Sequence, residues 1–179
     1  DFSEDTYRVL AAADAAVMVL DAAKGIEPQT LKLFEVVKAR QMPLITFINK
    51  WDRPGLEALS LLDEIEEKIG VVAAPVTWPV GIAGQFRGVI DRRSGDFIRF
   101  TRTARGATEA PEEVVEPDRA AAEEGDVWTT ARDEVELLGT MGLDHDDELF
   151  LGGEMSPTFF GSALTNFGVR LLLDAVIDL

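Results

Sequence analysis

Residues 43–52, Pro-Leu-Ile-Thr-Phe-Ile-Asn-Lys-Trp-Asp, form an apolar run that stops on polar side chains, and no other stretch limits the fold as tightly. A run of this length and composition suits a strand buried on both faces, as in the interior of a parallel sheet. A second such run, Ala15-Ala16-Val17-Met18-Val19-Leu20, ends on Asp21. Between the two, Pro28 sits at a first helical position and opens a stretch to about residue 41, with Leu31, Phe34 and Val37 or Lys38 at successive turns. Strand, helix, parallel strand is a right-handed βαβ unit. The expected fold class is therefore α/β, with a doubly wound, mainly parallel sheet.

Around this unit the pattern changes twice. Residues 4–13 read as a helix with Ser3 as cap and Tyr7, Leu10 and Ala11 on one face. After Arg53-Pro54-Gly55, a helix over about 56–69 puts Leu59, Leu62, Ile65 and Ile69 on an apolar stripe; Glu57, Asp63, Glu64, Glu66 and Glu67 are expected in water rather than on a metal. From residue 71 to 100 the grammar is that of hairpins: Val76-Thr77-Trp78, Gly88–Asp91 and Phe97–Phe100, divided by Gly, Pro and Arg-Arg-Ser-Gly turns. Residues 103–117 read as a loop and about 119–139 as an acidic amphipathic helix. The α/β grammar returns at Pro157–Gly161, followed by a closing helix from about 167 with Val169, Leu172, Leu173, Val176 and Ile177 available to the core. The chain thus divides into 1–72 with 154–179, one α/β domain, and 73–153, an inserted acidic α+β subdomain.

Charge sharpens that division. Of the formal −16, residues 109–154 carry 16 acids against Arg119 and Arg132, while the remainder has 17 acids and 15 bases. Such a surface repels phosphate backbones, which argues against direct nucleic-acid binding and for a basic protein partner. The absence of cysteine excludes disulfides and fits a reducing, cytoplasmic setting. No apolar run approaches the roughly 18–20 residues that span a bilayer, so no membrane association is expected. The opening Asp1-Phe2-Ser3-Glu4-Asp5 reads as the middle of something, an internal fragment.

Asn49, Lys50 and Asp52 follow a strand's carboxyl end, the rim where open α/β sheets bind ligands. A carboxylate has two acceptors to match the N1–H and exocyclic NH₂ of guanine, and an amide can donate to N7; adenine lacks those donors. Lys50 would lay its stem along base or ribose with its charge in water. Ser162-Ala163-Leu164 occupies a second strand-end rim, where a backbone N–H of a small-residue turn could reach O6. Either segment alone also reads as an ordinary turn. Both together on matching rims point to one purine.

With both segments placed, the chain resembles the later part of a translational GTPase G domain. Asp1–Arg8, Asp21-Ala22-Ala23-Lys24-Gly25, Thr77-Trp78-Pro79-Val80-Gly81 and Gly161–Val169 resemble in closer detail the class II peptide chain release factors, with elongation factor G as the nearest rival. The resemblance implies a partial P-loop GTPase-type sheet, Asn49, Lys50, Asp52, Ser162, Ala163 and Leu164 as guanine-binding residues, and GTP or GDP with Mg²⁺ as cofactors of the intact protein. It also implies hydrolysis on the ribosome and release of a class I release factor, with a basic stalk protein as a partner for the acidic insertion. No Lys here is followed by Ser or Thr, so the Gly-Lys-Ser/Thr phosphate loop does not occur in these 179 residues. These residues alone are therefore expected to be inactive and to bind GDP weakly at best. His145, in an acidic loop, is not assigned the water-orienting role. Truncation of the sheet would leave apolar faces of 15–20 and 44–48 exposed.

Overall fold

The computed structural model describes residues 4–101 and 112–179. In chain order they form α1 (Glu4–Ala12), β1 (Ala16–Asp21), α2 (Pro28–Ala39), β2 (Leu44–Asn49), α3 (Ala58–Ile69) and β3 (Val72–Pro75). There follow β4 (Thr77–Val80), β5 (Gly88–Asp91), β6 (Phe97–Phe100), β7 (Glu112–Val115), α4 (Pro117–Glu124), α5 (Asp126–Thr140), α6 (Asp147–Leu151), β8 (Met155–Phe160) and α7 (Val169–Asp178). Ser3 and residues 103–111 of the expected loop lie outside the described residues.

Four strands make a wholly parallel sheet in the order β1-β2-β8-β3. The apolar run that ends on Asn49 is interior, with Leu44 through Ile48 all buried, as a strand covered on both faces requires. The expectation that 44–48 would show an open apolar face is therefore wrong, since side chains on both faces of the strand are buried. For β1 it holds in part, since Met18 and Leu20 are buried while Val17 and Val19 are about half exposed.

The second sheet is an antiparallel meander, β4-β5-β6-β7. It begins where the parallel sheet ends. β3 pairs with β8, and one residue later the Phe160 N–H donates to Thr77 Oγ1, so the chain passes between sheets at Val76. The parallel sheet's share thus runs to residue 75 rather than 72. Behind the meander, α4 and α5 cover Phe97 with Trp128, whose rings stand 5.4 Å apart.

Local details depart from the sequence reading where a special backbone or a tertiary partner decides. The single acidic helix over 119–139 is two, broken at Gly125, whose φ of 60° and ψ of −129° no helix allows. Residues 112–115 are strand rather than loop because they pair with β6. In α7 the inward face is Leu171, Leu172 and Ala175, while Leu173, Val176 and Ile177 are exposed. Glu64 is not solvated either: its carboxylate accepts from Ile26 N–H and Lys68. Among the described residues, no helix is long and apolar enough to cross a membrane.

Candidate guanine-nucleotide site

The rim of the parallel sheet gathers the ends of β1, β2 and β8. Parallel register sets Asp21 beside Asn49 and Ile48 beside Phe160, so three loops leave the sheet at one level. After β2 the chain cannot continue extended: Lys50 takes a left-handed φ of 66°. Such a conformation is uncommon for a residue with a Cβ and persists only where its surroundings hold it.

Those surroundings are visible. Asn49 Oδ1 accepts from its neighbour's backbone, Lys50 N–H, at 2.8 Å and from Ala163 N–H, also at 2.8 Å. One amide oxygen therefore joins two loops separated by 114 positions in the chain. The backbone repeats the junction: Trp51 N–H donates to Gly161 O and Gly161 N–H to Ile48 O, both at 3.1 Å. A Cβ on Gly161 would stand 2.3 Å from Phe167 O and 2.9 Å from the Phe47 ring, so only glycine permits this approach.

Trp51 anchors the first loop inward. Its ring is buried, meets Phe160 edge-on at 5.0 Å, and donates through Nε1–H to Gly81 O. The polar neighbours are thereby turned outward, with Lys50 exposed and Asp52 partly so. The Asp52 carboxylate has Arg53 Nε at 4.0 Å. The Lys50 ammonium, on an exposed side chain, also donates to Asp21 Oδ2 at 2.7 Å. Asp21 also accepts from Ala23 N–H, and these two bonds hold its carboxyl below its usual value, the lysine contact being the larger cause.

The second loop is a closed turn. Ser162 and Phe167 exchange backbone hydrogen bonds, and Thr165 Oγ1 donates to Ser162 O. Ser162 is fully buried, with its Oγ unpartnered among the described residues. Ala163 presents its N–H to Asn49 rather than leaving it free for a ligand, so the next donor along the turn is Leu164 N–H. The Leu164 side chain itself projects into solvent. Phe167 closes the turn from below, packed at 5.1 Å each against Phe86, in the β4–β5 connection, and Phe100 of β6.

The sequence reading placed both loops on the rim but missed three residues that hold them. Asp21 pairs with Lys50, Trp51 wedges the loop, and Phe167 pins the turn. The alternation of buried and polar residues in Asn-Lys-Trp-Asp was the available signal for Trp51. Asp21 was visible only as the polar end of the second apolar run, and nothing local marks Phe167.

All 179 residues match the elongation factor Tu GTP binding domain. The chain belongs to that family. Within it, peptide chain release factor 3 of Microcystis aeruginosa is 53% identical over 99% of this chain. The same protein of Gloeothece citriformis is also 53% identical, and that of Nostoc punctiforme 52%, each over 99% of the chain. The chain spans about a third of the length of these curated relatives, 33%, 34% and 33% respectively. One amide oxygen thus locks two loops on the rim of a domain of this family. The residues fit a guanine edge chemically, Asp52 offering acceptors and the second turn backbone donors. For phosphates and Mg²⁺ these 179 residues contain no Gly-Lys-Ser/Thr sequence.

Proposed function

We propose that the protein carrying this chain is a ribosome-dependent GTPase of translation termination, and that these residues supply the guanine-selective half of its GTP site. The observation that carries the reading is the bond from Ala163 N–H to Asn49 Oδ1, which locks the two rim loops to each other. Similarity to release factors over nearly the whole chain favours termination over translocation. In this reading the intact protein binds GTP with Mg²⁺ and promotes dissociation of a class I release factor from the ribosome. Asn49, Lys50 and Asp52 hold one edge and face of the base, while Ser162, Ala163 and Leu164 form the opposing turn. Phosphate contacts come from residues outside these 179, and this chain alone hydrolyses nothing.

Asp52→Asn in the intact protein tests it. An amide places a donor where guanine offers N–H groups, so GDP affinity falls at least a hundredfold, in line with the large penalties of mismatched buried polar groups. The same amide suits the C2 carbonyl of xanthine, so XDP binding improves. Unchanged GDP affinity by calorimetry removes Asp52 from the site.

The acidic insertion is proposed to face a basic protein of the ribosomal stalk. Not every acid there is available. Glu123 is bound by Arg99 and Arg119, Glu124 by Arg99, and Glu134 accepts from Trp78 Nε1–H, so reversing these three would break contacts within the insertion as well as test an interface. Asp118, Asp133, Glu136 and Glu148 are exposed and are the residues to reverse. Ribosome binding should weaken while GDP affinity stays the same.

A further inference from the structure

Lys50 sits at a strained φ of 66° on the rim, and its ammonium is held 2.7 Å from Asp21 Oδ2 across the β1–β2 boundary. Asp21 is well placed to do this. Parallel register sets it directly beside Asn49, and its other oxygen accepts Ala23 N–H at 2.9 Å, which fixes the carboxylate plane. The aspartate side chain is largely buried (17% exposed) whereas the lysine is 46% exposed, so the anchored partner is the acid and the directed one is the base. A lysine has four rotatable bonds, and an untethered one at an exposed rim would sample many directions at an entropic cost to any ligand that must order it. Tethered, its methylene stem has a fixed course from the rim toward Asp21.

We propose that Asp21 is a positioning residue of the guanine-nucleotide site, acting through Lys50: its carboxylate holds the ammonium so that the lysine stem presents a preformed apolar wall to one face of the base. This rests on the assignment of the rim to guanine. It adds to that assignment a residue on a third strand, at the far side of β2 from β8.

Asparagine at position 21 retains an acceptor for Ala23 N–H but replaces the oxygen that meets the Lys50 ammonium with an uncharged amide donor, so it separates the tether from the turn. In the intact protein with Mg²⁺ present, Asp21→Asn should weaken GDP binding about tenfold, the scale of a charge-assisted hydrogen bond reduced by partial exposure. Asp21→Glu, which keeps the charge, should restore most of the loss. The same Asp21→Asn change in a Lys50→Met background should have no further effect, because a residue acting only through its partner has nothing left to act on. An unchanged affinity in Asp21→Asn, or an equal loss in both backgrounds, overturns the proposal; the second result would make Asp21 a structural residue of the turn. Should the asparagine variant fail to fold by circular dichroism, Asp21→Ser, whose hydroxyl also caps Ala23, is read in the same two backgrounds. The guanine assignment is judged separately on the unaltered protein: equal affinity for GDP and ADP refutes it whatever the variants do.

Discussion

Single residues decide the rim's geometry, and two of them make quantitative predictions. Gly25 has a φ of 62°, and a Cβ there would stand 2.1 Å from Glu64 Oε2, the carboxylate that accepts Ile26 N–H. Gly25→Ala must therefore strain the backbone and displace Glu64 together, at a cost of about 1–3 kcal/mol read as a lowered urea midpoint. Asp21 predicts a pH dependence. Its carboxyl is held below the usual value by Lys50 and the Ala23 N–H, so its folded pKa lies under its unfolded one. The stability it contributes is fully present above the unfolded value, near pH 4, and is lost as pH falls through the folded value. Urea midpoints measured between pH 6 and pH 3 should fall more steeply in the wild type than in Asp21→Asn, and parallel curves would refute the tether's contribution.

At the scale of elements, legibility followed burial. β1 and β2 could be read because a sheet interior demands uninterrupted apolar side chains, and the sequence shows two such runs. α3 was legible from its stripe, although Leu61, completely buried, was left out of it and Glu64 was put in water. The break at Gly125 and the strand 112–115 were not legible: one depends on a backbone conformation, the other on pairing with β6. Residues 49–52 and 162–164 were recognisable as rims, yet the bond that joins them spans 114 positions and has no local signature. Trp51 shows how an element end is built to hold a loop. Trp51→Ala opens a cavity between β8 and Gly81 and should cost about 3–5 kcal/mol. Trp51→Phe keeps a ring against Phe160 and loses one hydrogen bond, about 1 kcal/mol. Equal destabilisation by both variants in guanidinium would show that the hydrogen bond, not the packing, holds the loop.

Across the whole molecule the two sheets are joined at the rim itself. Trp51 O accepts Gly84 N–H, Glu112 of β7 accepts Gly168 N–H at the start of α7, and Phe167 lies against Phe86 and Phe100. The turn 162–167 is thus backed by the meander, and removing the ring should loosen both. Phe167→Ala is expected to raise amide hydrogen exchange in 162–167 and in β6 together, while β1, at the far side of β2 from β8, stays protected. Exchange rising in the turn alone would mean the sheets open independently.

The aromatic seam also has a consequence for genetics. A selection for variants that no longer retain guanine nucleotide should recover substitutions at Phe86, in the β4–β5 connection, and at Phe100 of β6, positions that carry none of the proposed base-recognition chemistry. Mapped without the coordinates, such hits would suggest a second ligand pocket, when they mark only the back wall of the first.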